Sequence, residues 1–375
     1  MKEDLVALAR SLGFGLCRIA PCVAPPHADE FRAWLDGGNA GEMTWLERNK
    51  HRRTDPQQVL PGAASVIVLA MNYWQGSGET GERASDWRGG APDREGAGLG
   101  GDPRETPGSD AHSAASSQAI GKIARYAWGE DYHDLIEKKL RVMDEWLTTR
   151  GGRQRCYVDT GPVLERDFAA LAGVGWHGKS TMLIHPRLGA WFFLAEILTS
   201  LVMPPDAPLR NHCGKCRRCI DVCPTGAITA PLHVDARRCV SYLTIEHKGA
   251  IPEEFRVLIG DRIYGCDDCI DACPWNRFAA ASQESAFAAR EFVHGWTLRD
   301  FLTLDEDGFR ALFRKSPIKR IKRRGFLRNV CVALGNTGSS DDLPALERAA
   351  KDPEPLIAEH AQWAIARIRR RADDI

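Results

Sequence analysis

Cys213-Gly-Lys-Cys216-Arg-Arg-Cys219-Ile-Asp-Val-Cys223-Pro224 sets four cysteines two, two and three residues apart, with a proline directly after the last. Further along, Cys266-Asp-Asp-Cys269-Ile-Asp-Ala-Cys273-Pro274 repeats the latter part of that run. Thiolates are soft, anionic donors that bridge tightly to iron, and spacing this short lets one turn of chain supply three corners of a cubane. The proline after each run sends the chain away from the site.

This is the spacing of bacterial ferredoxins, and it predicts a ferredoxin-like segment holding two four-iron four-sulfur clusters. In such paired runs the last cysteine of each crosses to the other cluster, so Cys213, Cys216, Cys219 and Cys273 are assigned to one. Cys223, Cys266 and Cys269 belong to the second, and Cys239, the only unassigned cysteine between the blocks, completes it. A zinc ribbon takes four cysteines in C-x2-C pairs and fits this spacing and the two prolines less well. The isolated Cys17, Cys22, Cys156 and Cys331 lie on apolar segments and read as small buried hydrophobes.

The rest of the chain is composed like a globular protein: 375 residues, 43% hydrophobic, with a formal net charge of zero. Two or three domains are expected. No apolar stretch approaches the roughly 20 residues of a membrane span, and the N-terminus reads as an amphipathic helix without a cleavage site, so a cytoplasmic protein is expected. Twelve cysteines in a reducing compartment argue for metal ligation over disulfides.

Outward from the cysteines, the pattern before them is α/β. Leu5, Leu8 and Leu12 have helical spacing, Gly13 closes that helix, and 15–20 follows as a strand. The continuous apolar run at 65–71 predicts a strand buried on both faces, and 191–198 another. Ile136, Leu140, Met143 and Leu147 mark a helix, 156–159 a strand with Asp159 at its end, and 164–171 a further helix. Between Gln75 and Gln118 the sequence offers almost nothing to bury, which predicts a disordered insertion. Pro204, Pro205 and Pro208 mark a boundary. After the cysteines the chain reads as helical, at 301–313, 327–334, 343–350 and 356–368, in pairs like HEAT repeats. The expected division is 1–203, 204–285 and 286–375.

Val158-Asp159-Thr160-Gly161-Pro162, the segment Gly173 to Lys179, Cys239-Val240-Ser241-Tyr242-Leu243-Thr244 and Tyr264-Gly265-Cys266-Asp267-Asp268-Cys269 together resemble the epoxyqueuosine reductases, over nearly the whole chain outside the insertion. The resemblance implies a cobalamin cofactor fed by the two clusters, and removal of the epoxide oxygen from epoxyqueuosine at the wobble position of tRNA. It implies a low-potential electron donor, and matches Asp159 to the family's proton donor, a role that asks for a carboxyl kept protonated in a sparsely solvated pocket. By itself, Asp159 reads equally as a turn or cap residue. Arg53, Asp159, Leu183, Ser241, Asp267 and Asp268 match positions expected near the corrin. The segment Asp131-Tyr-His133-Asp-Leu-Ile136 lacks the final glycine of the Asp-x-His-x-x-Gly motif, so His133 is not assigned as a cobalt ligand.

Nine basic residues lie between Arg310 and Arg328 with no acid among them. A charge run is commonly a solvated face. Beside a resemblance to a tRNA enzyme, Lys319, Arg320, Arg323 and Arg324 are expected to meet phosphates, with Lys248 as a further contact. A reductive dehalogenase acting on a small molecule, or a plain two-cluster electron carrier, remain as alternatives. The missing twin-arginine signal and the basic helical region argue against the first, and some three hundred residues beyond the clusters against the second. A monomer is the default expectation.

Overall fold

The apolar run at 65–71 becomes the middle of a four-stranded sheet in the computed structural model, which describes residues 1–76 and 119–373. The insertion expected at Gln75–Gln118 lies, after its first two residues, outside the described residues. The strands are β1 (Leu16–Pro21), β2 (Ser65–Asn72), β3 (Gln154–Tyr157) and β4 (Phe192–Thr199), in the order β1-β2-β4-β3. All three pairings are antiparallel, with Ile67 opposite both Ile19 and Ile197.

Alternation along β2 sends Ile67, Leu69 and Met71 to one face and Val66, Val68 and Ala70 to the other. The first face is covered by α1 (Lys2–Ser11) and α2 (Tyr132–Thr148), whose stripe of Ile136, Leu140, Met143 and Leu147 is buried against it. The second is covered by α3 (Glu165–Leu171) through Phe168 and Ala169. Cover on both faces is why these strands read as unbroken apolar runs; the α/β layering is present, with antiparallel strands. At the end of β3 the expected strand stops two residues short, because the chain turns sharply at Asp159.

The cysteine segment is built from short pieces. Four-residue helices at Arg218–Asp221 and Asp268–Asp271 overlap the two cysteine runs, a hairpin joins Ile228–Ala230 to His233–Val234, and a π-helix spans Tyr242–Glu246. Beyond it, α4 (Lys322–Thr337), α5 (Leu343–Ala349) and α6 (Pro355–Asp373) pack together. The helix expected at 301–313 is two, Leu298–Phe301 and Glu306–Leu312. Thr297 and Asp300 form a capping box on the first, and Asp305 caps the second by accepting from the Gly308 N–H, so each start is fixed locally.

Shared cores cross the expected boundaries at 203/204 and 285/286. Ile123 and Ala127 pack with Tyr264, Phe301 and Phe326, and Lys122–Ile123 pairs in parallel with Arg262–Tyr264. Arg328, 1% exposed, pins α4 to the π-helix region. Its guanidinium donates to the carbonyls of Leu243, His247 and Gly249 and to Asn329 Oδ1. Among the described residues, no helix is long and apolar enough to cross a membrane.

Candidate active site and cluster cradle

Asp159 sits just past β3 with φ +58, a backbone region that Asp tolerates better than most side chains and that concentrates at functional sites. A Cβ at Gly161 would run into the Tyr157 ring, so this turn has to carry glycine there. The Asp159 side chain is 53% exposed, beside Tyr132 and His133. The Tyr132 hydroxyl donates to its Oδ2 at 2.8 Å, and His133 Nε2 lies 3.4 Å from the same oxygen, in ion-pair range but outside hydrogen-bond geometry. Both neighbours open α2, whose N-cap is Asp131.

These groups alternate in charge. His133 Nδ1 meets Asp131 Oδ1 at 2.8 Å, and Lys319 Nζ meets Asp131 Oδ2 at 3.1 Å. Burial would lower His133, but the carboxylates of Asp131 and Asp159 lift it to about 9. Burial would raise Asp131, but His133 and Lys319 hold it down to about 2. Burial would likewise raise Asp159, yet contacts with His133 and Tyr132 and the charge of Arg320 keep its carboxyl below the usual range. The sequence reading of a protonated Asp159 is therefore corrected: beside an imidazolium it rests ionised.

Two further carboxyls lie on the α3 side of the sheet. Glu196 is wholly buried on β4, and Glu165 begins α3 with a buried, unpartnered Oε1. Burial, then the neighbouring Asp159, raises Glu165 to about 7; burial, then Glu165, raises Glu196 well above its usual value. Sequence reasoning passed over both, although a glutamate inside the apolar run of β4 was a visible signal. It also passed over Tyr132.

The cysteines fall into two groups. Burial raises Cys273, and the nearby thiols of Cys213, Cys219 and Cys216 add to it; Cys219 in turn responds to Cys213 and Cys216. Burial raises Cys269, with Cys266, Cys239 and Cys223 adding. All eight are free. Backbone N–H groups already point at sulfur: Ala227 N donates to Cys223 Sγ at 3.2 Å, and Ser241 and Tyr242 donate to Cys239. Thiols grouped in fours with N–H donors are what a cubane requires. A line of aromatic rings leads back from Asp159: Phe193 stacks on Tyr132 at 4.1 Å, the Tyr73 ring lies 4.5 Å from Phe193, and Cys269 of the second group packs against the same core.

Of the expected corrin neighbours, Arg53 is near enough to feel the charges of Asp159 and Glu165. One of its nitrogens donates to Val163 O at 3.1 Å, and its Nε is buried without a partner. Ser241 faces the Cys239 sulfur. Asp267, raised to about 7 by burial, accepts from the Arg125 N–H at 2.7 Å. Asp268 is engaged by Arg262 at 2.5 and 3.1 Å, and Leu183 points into the core under α3, 4% exposed, so their side chains are committed elsewhere.

The basic run divides in the same way. Arg324 is exposed, as is Lys248, whose Nζ donates to Ile245 O. Lys319 and Arg320 are paired with Asp131 and Glu246, and the charge of Arg320 reaches Asp159. Arg323 is tied to Asp352 at 2.5 Å and to Leu304 O, and Arg328 is buried; both brace helices instead of lining an open face.

Residues 212–276 match the family model of the 4Fe-4S double cluster binding domain, and residues 104–160 match that of "Epoxyqueuosine reductase QueG, DUF1730". The chain is 41% identical over 362 residues to the epoxyqueuosine reductase of Xanthomonas campestris pv. campestris, covering 96% of this chain and 94% of that one. It is 37% identical over 369 residues to that of Escherichia coli K12, covering 96% and 88%. A crystal structure of epoxyqueuosine reductase with a tRNA-Tyr epoxyqueuosine-modified stem loop superposes with TM-score 0.83 at 29% identity, covering 98% of this chain and 90% of that one. The Bacillus subtilis enzyme superposes with TM-score 0.81 at 28% identity, with the same coverage. With likeness of this extent in sequence and fold, and with a double-cluster segment, this chain belongs to the epoxyqueuosine reductase family of oxidoreductases.

Proposed function

We propose that this protein removes the epoxide oxygen of epoxyqueuosine at the wobble position of tRNA, with electrons entering through two 4Fe-4S clusters and protons entering through Asp159. The observation that carries the reading is the Asp159 turn, beside the aromatic line Tyr132, Phe193 and Tyr73 that runs through the core on which Cys269 of the second cysteine group packs. Cys213, Cys216, Cys219 and Cys273 hold one cluster; Cys223, Cys239, Cys266 and Cys269 hold the other.

Cobalamin is the cofactor that the sequence resemblance implies, and the residues present fit it. A corrin is fringed with amide groups, and the unpartnered Arg53 Nε and the Asp267 carboxyl, near 7 through burial, offer amides a donor and an acceptor. Bound there, it supplies the low-potential metal chemistry that no side chain can provide. The chain's own residues handle protons and place the substrate. His133 carries the proton at rest, Asp159 passes it to the oxygen being expelled, and Tyr132 fixes the Asp159 oxygen that does so.

The wobble base is single-stranded in its loop and reaches Asp159 at low cost in unstacking. Lys319 and Arg320, with the exposed Arg324 and Lys248, take the phosphates, on a HEAT-like platform made by the helices of 286–375. The test is protein purified without oxygen, reconstituted with iron, sulfide and cobalamin, and given epoxyqueuosine-containing tRNA. Queuosine is expected by nucleoside mass spectrometry, with about eight irons bound, and Asp159→Asn should retain the iron and the corrinoid while forming no product. Bound zinc, or an Asp159→Asn protein that still turns over, overturns the reading.

A further inference from the structure

Glu196 is the most costly residue in the sheet. Its strand position pairs with Val68 on one side and Tyr157 on the other, two residues before Asp159, and it is 0% exposed. Its side chain shares the α3 face with Val66, Val68 and Phe168, and neither carboxyl oxygen has a hydrogen-bond partner. An apolar side chain of similar volume would pack there at lower free energy. Glu165, at the start of α3, interacts with Glu196 and with Asp159, and its Oε1 is likewise buried without a partner. Arg53, Arg166 and Tyr132 also interact electrostatically with Glu165, while among the described residues the charges acting on Glu196 are those of Glu165 and Asp159. Two carboxyls so placed cannot both ionise, so they hold at least one proton between them at neutral pH.

The reaction asks for such a proton. Reducing an epoxide to an alkene breaks two C–O bonds, forms one C=C bond, and consumes two electrons and two protons. Both protons end on the single oxygen that leaves as water. Asp159 holds one proton at most, so it has to be recharged within each turnover.

We propose that Glu165 and Glu196 form a one-proton carboxyl pair that recharges Asp159 within each turnover. The inference rests on the reading of Asp159 as the proton donor. The first proton comes from the His133 side of Asp159 and the second from the glutamate side. In the second transfer the O–H bond of the glutamate pair breaks, and an O–H bond forms on the Asp159 carboxylate, which then protonates the departing oxygen. The pair is left doubly ionised and regains its proton from solvent after product release. At rest the proton stays on the pair, which holds it more firmly than Asp159, and it moves only when the developing oxyanion draws on Asp159.

The experiment uses the cluster-loaded, cobalamin-loaded enzyme and the variants Glu196→Gln, Glu165→Gln and Asp159→Asn. Infrared spectroscopy should find a neutral carboxylic-acid carbonyl band in the wild type at neutral pH that shifts on glutamate carbon-13 labelling, is lost in alkaline buffer, and disappears in Glu196→Gln. The same variant should lose at least about tenfold in kcat with unchanged KM for tRNA, and its pH profile should lose the limb near neutrality. Glu165→Gln, at the partly buried start of α3, carries the same kinetic test if Glu196→Gln does not fold. Absence of the band, or glutamine variants with wild-type kcat and pH profile, overturns the pair as a proton store. Asp159→Asn should keep the band while forming no product; if it still forms product, the donor reading falls, and the store with it.

Discussion

Replacing His133 with glutamine should remove a pH-dependent part of the protein's stability. Its imidazole lies between Asp131 and Asp159, only 21% exposed, and those carboxylates raise it from 6.5 to about 9. At 1.36 kcal/mol per pH unit, that rise is worth about 3 kcal/mol. Because the folded value is the higher one, this contribution is complete below pH 6.5 and disappears as pH climbs through about 9. The partner Asp131, held down to about 2, has its own contribution intact above the ordinary carboxylate range, so it does not vary in this window. For 375 residues at about 2.1 cal/mol/K each, the unfolding entropy is about 0.8 kcal/mol/K, so the expected gap in Tm is about 4 °C. The assay is thermal unfolding of cluster-loaded wild type and His133→Gln in oxygen-free buffer at constant ionic strength, from pH 6 to pH 10. Taking the difference between the two proteins cancels the clusters' own contribution. The gap should be widest at pH 6 and nearly closed at pH 10. A gap that is flat across the range, or that widens with pH, refutes the charged His133 and with it the ionised resting state of Asp159.

Three further outcomes follow from the contacts. Cys239→Ala should bind about half the iron of the wild type while the other cluster keeps its electron paramagnetic signal on reduction, because only the second thiol group loses a member. Arg328→Leu leaves the carbonyls of Leu243, His247 and Gly249 without their donor, and should cost at least about 3 kcal/mol of stability, seen as rapid proteolysis near the π-helix. Arg324→Ala should reduce the slope of log K against log salt for tRNA binding by about 1, whereas Arg323→Ala should leave that slope unchanged and lower Tm, since Arg323 is occupied by Asp352.

The lesson of the site is that ligand chemistry is local and proton chemistry is not. Spacing within a dozen residues was enough to read the cluster cradle, because a cubane takes three thiolates from one short turn. The alternating faces of β2 and the stripe of α2 were legible for the same reason, a fixed period repeated along one element. The protonation of Asp159 was not legible, since it depends on His133 twenty-six residues earlier and on Arg320, brought to it from another part of the chain. The basic run misled for a related reason: composition gave nine cations between Arg310 and Arg328, but Asp352 had already claimed Arg323, and carbonyls of the π-helix region Arg328.

By itself, then, the sequence determined the two clusters, the buried sheet with helices on either face, and the chain's likeness to a family. Each of these depends on short spacings or on patterns that repeat along one segment. The tertiary structure alone decided that Asp159 rests ionised, that Leu183, Asp268, Arg323 and Arg328 are committed to packing or pairing, and that the carboxyls of Glu165 and Glu196 interact with each other and with Asp159. A group's charge state is set by the charges and the water excluded around it, and those neighbours come from parts of the chain that only folding brings together.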